Sequence, residues 1–148
     1  MMSTARDDRT TPEAGDGRAV VLVVEDEVLV RMVIADYLRD CGYAVIEAGN
    51  AQEAVALFLA DVEVDVVFSD VQMPGEMDGF GLARWVRQHR PGINVILTSG
   101  ATRAADAAAD LCDDGPLMQK PYDSGEVARR ICQLLAARNA KGRRDGLN

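Results

Sequence analysis

The sequence AVVLVVEDE, at residues 19–27, joins an aliphatic run directly to three acids. An apolar run without polar alternation is typical of a β-strand that is buried on both faces of a parallel sheet. The acids Glu25, Asp26 and Glu27 do not belong in such an environment, so the strand is expected to end at the surface. This stretch therefore predicts a parallel sheet that carries carboxylates at the end of one strand.

The same alternation of short apolar runs and helical patterns continues along the chain. Further strands are predicted at 44–48, 64–69, 94–98 and 117–119. Helices are predicted at 28–41, 79–90 and 101–111, after a capping box of Asn50 and Glu53, and after a second one of Asp123 and Glu126. The first helix is inferred from apolar residues at three- and four-residue spacing, namely Leu29, Met32, Val33 and Tyr37.

Five such βα units predict a flavodoxin-like three-layer α/β sandwich. Its sheet is expected to be parallel and five-stranded, with strand order 2-1-3-4-5. In open sheets of this kind, ligands bind at the carboxyl ends of the strands, near the point where the strand order reverses.

The length of 148 residues suits one domain. We predict a flexible leader at residues 1–18, a folded domain at 19–137 and a flexible tail at 138–148. No apolar run approaches the roughly 20 residues of a membrane helix, and the leader has no signal-peptide core. The sequence therefore predicts a cytoplasmic protein with no membrane partner.

Charge and residue usage exclude several kinds of site. Residues 19–137 carry 9 basic and 19 acidic residues, a poor match for a nucleic-acid backbone but a suitable environment for a cation. The three cysteines are far apart and predict no disulfide framework, and a single histidine, His89, excludes a multi-histidine zinc site.

Polar side chains follow four of the predicted strands at the point where each ends. Glu25 and Asp26 follow the first, Asp70 the third, Thr98 ends the fourth and Lys120 follows the fifth. Because the carboxyl ends of parallel strands lie on the same edge of a sheet, these groups are expected to surround one shallow cup.

Three carboxylates in one cup repel each other and need a counter-charge. Lys120 supplies one positive charge, and Mg²⁺ is a hard cation that one or two carboxylates can hold. An aspartate can act as a nucleophile and become an aspartyl phosphate, with the metal, Lys120 and Thr98 meeting the charge of the transferred group.

Each of these residues has an ordinary structural interpretation when taken alone. Acids are favoured at a helix N-terminus, and Asp70 could be a helix cap. Thr98 could be a strand-end hydroxyl, and Lys120 could be a surface lysine. Their joint occurrence at four strand ends favours the functional interpretation.

Four blocks carry a resemblance to a known family. VLVVEDE at 21–27, FSDVQMPGEMDGF at 68–80, ILTSG at 96–100 and LMQKPY at 117–122 resemble the receiver (CheY-like) domain of bacterial two-component response regulators. The resemblance covers roughly residues 19–137 and is closest to the stand-alone, single-domain type.

The resemblance implies a phosphorylation and metal site. Asp70 matches the aspartate that is phosphorylated in the family, and Glu25 and Asp26 match the acidic pair that holds Mg²⁺ together with Asp70. The backbone carbonyl of Gln72 matches the third protein ligand. Glu25 stands where Asp is more usual, which lengthens the side chain by one methylene group.

The resemblance also implies a phosphate-binding switch. Thr98 matches the hydroxyl residue that moves toward the phosphoryl group, Lys120 matches the lysine that pairs with phosphate, and Pro121 matches a proline that follows a cis peptide bond. Leu117 stands where many receivers have an aromatic switch residue. We therefore hypothesise that phosphorylation orders residues 101–116 instead of moving an aromatic ring.

The resemblance implies a phospho-acceptor rather than an enzyme, with slow self-dephosphorylation at most. The phosphate donor would be a histidine kinase or a histidine phosphotransfer protein, and the output would be a protein partner or onward phosphate transfer. One alternative is a receiver-like scaffold that works without phosphorylation. Another is an aspartyl-nucleophile phosphatase, but such an enzyme needs an acid two residues after the nucleophile, where this chain has Gln72.

Overall fold

The computed structural model describes residues 17–99, 118–119 and 123–146. The strands are β1 (Val20–Val24), β2 (Ala44–Ala48), β3 (Val66–Asp70), β4 (Asn94–Ser99) and β5 (Met118–Gln119). The helices are α1 (Val28–Asp40), α2 (Ala51–Leu59), α3 (Gly79–His89) and α4 (Ser124–Gly146). The helix predicted at 101–111 and the residues Leu117, Lys120 and Pro121 lie outside the described part of the chain.

The strands form one parallel sheet in the order β2-β1-β3-β4-β5, which confirms the predicted fold. The register places Val24 of β1 opposite Ser69 of β3, and Asp70 of β3 opposite Thr98 of β4. The ends of β1, β3 and β4 therefore lie side by side at one edge of the sheet.

The core lies on both faces of the sheet, which explains why all five residues of β1 are buried. Leu22 and Val24 face a cluster that includes Phe58 of α2 and Leu82 of α3. The alternate residues of β1 face a second cluster, on the side of α1 and α4, that includes Leu38 and Ile131. Because both layers are apolar, the polar ends of the strands project from the core at the edge.

Helix α1 buries a different face from the one that its most regular apolar spacing indicates. The helix is confirmed, but its buried residues are Ile34, Ala35 and Leu38. The residues from which it was inferred are exposed: Leu29 by 75%, Met32 by 46%, Val33 by 63% and Tyr37 by 40%. The helix is apolar on two sides, and only one of them can pack on the sheet.

Both predicted helix caps are present, and Asp123 and Glu126 form the complete reciprocal box. The side chain of Asn50 accepts a hydrogen bond from the N–H of Glu53 (2.8 Å), and Asp123 accepts one from the N–H of Glu126 (2.8 Å). In the first box, the carboxylate of Glu53 reaches back to the N–H of Gly49 (2.7 Å). These bonds satisfy N–H groups that have no partner inside the helix.

Helix α4 continues to Gly146, through most of the segment that was predicted to be a flexible tail. A hydrogen-bonded clasp centred on Asp65 holds it to the sheet. One oxygen of Asp65 accepts a bond from Nη2 of Arg138 (2.7 Å), and the other accepts one from the N–H of Val20 (2.8 Å). Arg138 is thus fixed to the sheet, and the last turns of α4 follow it.

None of the helices in the described residues is long and apolar enough to cross a membrane.

The Asp65 clasp gives a prediction about stability. We expect Asp65→Ala to lower the free energy of unfolding by about 2 kcal/mol, because it leaves the buried N–H of Val20 without its partner. Arg138→Ala keeps the bond to Val20, and we expect a loss of about 1 kcal/mol. Urea unfolding monitored by circular dichroism measures both changes.

The control variant is Asp36→Ala, which removes an exposed ion pair with Arg39 at 3.4 Å. Its effect on the free energy of unfolding should stay within about 0.5 kcal/mol, since exposed pairs contribute little. An Asp65→Ala protein as stable as Asp36→Ala would show that the clasp does not anchor β1.

Candidate functional site

Asp70 is the last residue of β3 and is buried, with 7% of its surface exposed. The N–H of the next residue, Val71, donates to the carbonyl oxygen of Thr98 (2.9 Å), so the ladder between β3 and β4 continues past Asp70. One carboxylate oxygen of Asp70 accepts a bond from the N–H of Gln72 (3.3 Å). The side chain is thus held in place at the edge where the strands end.

Glu25, Asp26 and Asp70 form an acid cluster at this edge. One carboxylate oxygen from each lies within 4.8 Å of the other two. Glu25 and Asp70 are buried, whereas Asp26 is exposed to solvent. Like charges at this separation repel each other, and burial of two of them reduces the screening by water. The cluster is therefore suited to binding a cation.

The chemistry of this cluster fits Mg²⁺. All the ligand atoms that it offers are carboxylate oxygens, and Mg²⁺ prefers oxygen ligands. The exposure of Asp26 leaves one side open, which suits an ion that keeps several of its waters. The structure brings Glu25, Asp26 and Asp70 together, as expected from the sequence. Gln72 lies beside them because its N–H donates a hydrogen bond to Asp70.

The glutamate at position 25 adapts to a place where an aspartate is more usual. Its oxygen Oε2 accepts a hydrogen bond from the N–H of Glu27 (3.1 Å), two residues further along. This bond turns the longer side chain back toward its own backbone. The extra methylene group therefore does not prevent the carboxylate from joining the acid cluster.

Thr98 is the residue of β4 that pairs with Asp70, and it is 1% exposed. Its hydroxyl oxygen has no hydrogen-bond partner within the part of the chain that the structure describes. A buried hydroxyl without a partner is costly and rare. Thr98 lies next to Asp70 on the neighbouring strand, where it is placed to donate to an oxygen of a ligand.

Gly79 is a site-forming residue that sequence reasoning missed. It begins α3, and its N–H donates to the carbonyl oxygen of Val71 (2.8 Å). A Cβ atom at this position would overlap the carbonyl oxygen of Asp70 and lie 2.7 Å from Cα of Val71. Only glycine lets the helix start so close to the acid-bearing strand. The pair Asp78-Gly79, a helix cap followed by glycine soon after Asp70, was the available signal.

The family model of the response regulator receiver domain matches residues 21–131. The sensor kinase CckA of Brucella abortus is 41% identical over 123 residues, which is 80% of this chain and 13% of that protein. The transcriptional regulatory protein PdtaR of Mycobacterium tuberculosis is 42% identical over 115 residues, 75% of this chain and 54% of PdtaR. The chain thus spans about half or less of these relatives.

Solved structures show the same fold. The receiver domain of the hybrid histidine kinase CckA has a TM-score of 0.65 at 33% identity, covering 78% of this chain and 97% of that one. The response regulator TrrA of Thermotoga maritima, solved in complex with Mg²⁺ and BeF, has a TM-score of 0.70 at 26% identity, covering 78% and 98%. By its sequence and by its fold, this chain belongs to the response regulator receiver domain family.

Proposed function

We propose that this chain is the phospho-acceptor of a two-component phosphorelay and that Asp70 is the phosphorylated residue. The observation that carries the proposal is the position of Asp70. Its carboxylate lies within 4.8 Å of two further carboxylates, and its backbone pairs in register with Thr98, whose buried hydroxyl has no hydrogen-bond partner among the described residues. An acidic edge that binds a cation on one side and offers a hydroxyl on the other suits a transferred phosphoryl group.

The reaction is a displacement at phosphorus. A carboxylate oxygen of Asp70 forms the new bond to phosphorus as the bond between phosphorus and the donor's histidine nitrogen breaks. The electron pair of that bond stays on the nitrogen, which takes up a proton. The partial exposure of the acid cluster, through Asp26, leaves a route for the phosphoryl group to enter.

Glu25, Asp26 and Asp70 would hold Mg²⁺, with the backbone carbonyl of Gln72 as a further ligand. The ion, when bound, neutralises charge on the phosphoryl oxygens. The hydroxyl of Thr98 would donate to a phosphoryl oxygen. Lys120 would pair with the phosphate and Pro121 would shape the chain beside it, two roles that rest on the family resemblance.

The surface beside the cluster suits a protein donor. Val28, Leu29, Met32 and Val33 form an exposed apolar surface, here called the α1 surface, with exposures from 46% to 75%. It begins two residues after Asp26. A donor that brings a phosphohistidine to Asp70 must cover the neighbouring residues, and exposed apolar side chains favour burial there. We propose that a histidine kinase or phosphotransfer protein docks on the α1 surface.

The two alternatives receive less support. A phosphatase would need a proton donor two residues after Asp70, and the amide of Gln72 cannot serve as one. A phosphorylation-independent scaffold would have no need for a carboxylate cluster beside a buried hydroxyl that lacks a hydrogen-bond partner among the described residues. We accordingly propose a cytoplasmic switch without enzymatic turnover beyond slow self-dephosphorylation, whose output is a protein partner or onward phosphate transfer.

Phosphorylation of Asp70 can be tested without the natural donor. Incubation with acetyl phosphate and Mg²⁺ should add the mass of one phosphoryl group, measured by intact-protein mass spectrometry. Asp70→Asn should abolish the adduct because the nucleophile is lost, and the control Asp36→Asn should keep it. An unmodified wild-type protein would favour the scaffold, and turnover of small phosphate esters would favour the phosphatase.

The acid cluster should also make stability depend on Mg²⁺. Without the ion, we expect Asp70→Asn to raise the free energy of unfolding by about 1 kcal/mol, because it relieves repulsion between neighbouring carboxylates. Added Mg²⁺ should stabilise the wild-type protein by mass action and should stabilise Asp70→Asn much less. Urea unfolding in EDTA and in MgCl₂ measures both effects. Equal stabilisation of the two proteins by Mg²⁺ would place the ion elsewhere.

The role of the α1 surface can be separated from the chemistry of Asp70. Leu29→Gln should slow phosphate transfer from the protein donor by about tenfold, the loss expected when a leucine contact of about 1.4 kcal/mol is removed. Labelling by acetyl phosphate, which needs no docking, should not change. The control is Leu59→Gln, since Leu59 is also exposed (67%) but lies on α2. Equal slowing by both variants would contradict docking on α1.

A further inference from the structure

Arg31 of α1 connects the acid cluster to the edge strand β2. Its Nη1 atom donates a hydrogen bond to the backbone carbonyl oxygen of Glu25 (2.9 Å), and its Nε atom donates to Oε1 of Glu47 (3.1 Å). The side chain is 19% exposed. The guanidinium group therefore bonds two separate elements at once, one of which carries a metal-binding carboxylate.

These bonds hold the backbone of Glu25 from two sides. Its N–H donates to the carbonyl oxygen of Ala48 (3.1 Å), and its own carbonyl oxygen accepts the bond from Arg31. A glutamate has one more rotatable bond than an aspartate, so the position of its carboxylate is less restricted. A fixed backbone, together with the bond from the N–H of Glu27, compensates for that additional freedom.

Arg31 is itself kept in place. Glu47 on β2 orients the guanidinium group through the bond to its Nε atom. A guanidinium group can donate from two different nitrogens, here Nε to Glu47 and Nη1 to the carbonyl oxygen of Glu25. A lysine has one ammonium group and cannot bond in the same way to both the carbonyl of Glu25 and Glu47.

We propose that Arg31 is a positioning residue for the Mg²⁺ site, acting through Glu25. The proposal deepens the proposed function and rests on it. The change in Mg²⁺ affinity that it predicts for a variant without Arg31 is opposite in sign to the change that the charge alone would cause. The positive charge of Arg31 repels a cation, so its removal alone would tighten Mg²⁺ binding, whereas the loss of a positioning contact would weaken it.

The test is the dissociation constant of Mg²⁺, measured by isothermal titration calorimetry with MgCl₂ on the full chain. Arg31→Lys keeps the positive charge but cannot donate from two separate nitrogens. We expect it to bind Mg²⁺ roughly tenfold more weakly, as for other residues that orient a metal ligand. Arg31→Ala should bind at least as weakly. Arg39→Ala is the control, since Arg39 also pairs with Glu47 (3.2 Å) but its described contacts do not include Glu25. Its affinity should stay within about twofold of the wild type, well below the effect of a lost positioning contact.

Thermal unfolding in EDTA confirms that each variant is folded before the titration, and Arg31→Lys is sufficient for the test if Arg31→Ala does not fold. Wild-type affinity in Arg31→Lys, or tighter binding in Arg31→Ala, would overturn the positioning role while leaving the proposed function intact. A wild-type protein that does not bind Mg²⁺ would overturn both.

Discussion

Electrostatic repulsion among Glu25, Asp26 and Asp70 is the constraint around which the site is organised. Their oxygens lie within 4.8 Å of one another, and two of the three residues are buried. An isolated peptide would separate these charges. The parallel sheet holds them together, because the apolar residues of β1 and β3 are buried on both faces and cannot shift without exposing the core. The protein thereby holds three carboxylates in a fixed arrangement that suits a divalent cation.

The elements next to the cluster serve this arrangement in different ways. Gly79 allows α3 to start against the backbone of Asp70, where any side chain would overlap the carbonyl oxygen. Arg31 fixes the carbonyl of Glu25 from the opposite side. Thr98 contributes a buried hydroxyl that is not used by the protein's described groups. The site is therefore supported by short-range contacts from α1 and α3.

The α1 surface lies next to the acid cluster in the sequence and in the fold. Helix α1 follows the acid pair directly, so its outward face is continuous with the cluster. That face carries Leu29, Val33 and their neighbours, which the sheet does not cover. A helix that is apolar on two sides packs on the core with Ile34 and Leu38, and we propose that its second side receives the phosphate donor.

Local pattern was sufficient to predict the strands, the two helix caps and the grouping of Glu25, Asp26 and Asp70, and the strand order followed from the fold class that five βα units imply. Hydrophobic periodicity and capping act over a few residues, and parallel strands necessarily share one edge. Local pattern could not show which side of α1 is buried, that α4 continues beyond Arg138, or that Gly79 and Arg31 support the acid cluster. These features depend on contacts between residues that are distant in sequence, such as Asp65 with Arg138 and Arg31 with Glu47. Such contacts exist only after the sheet has brought the elements together.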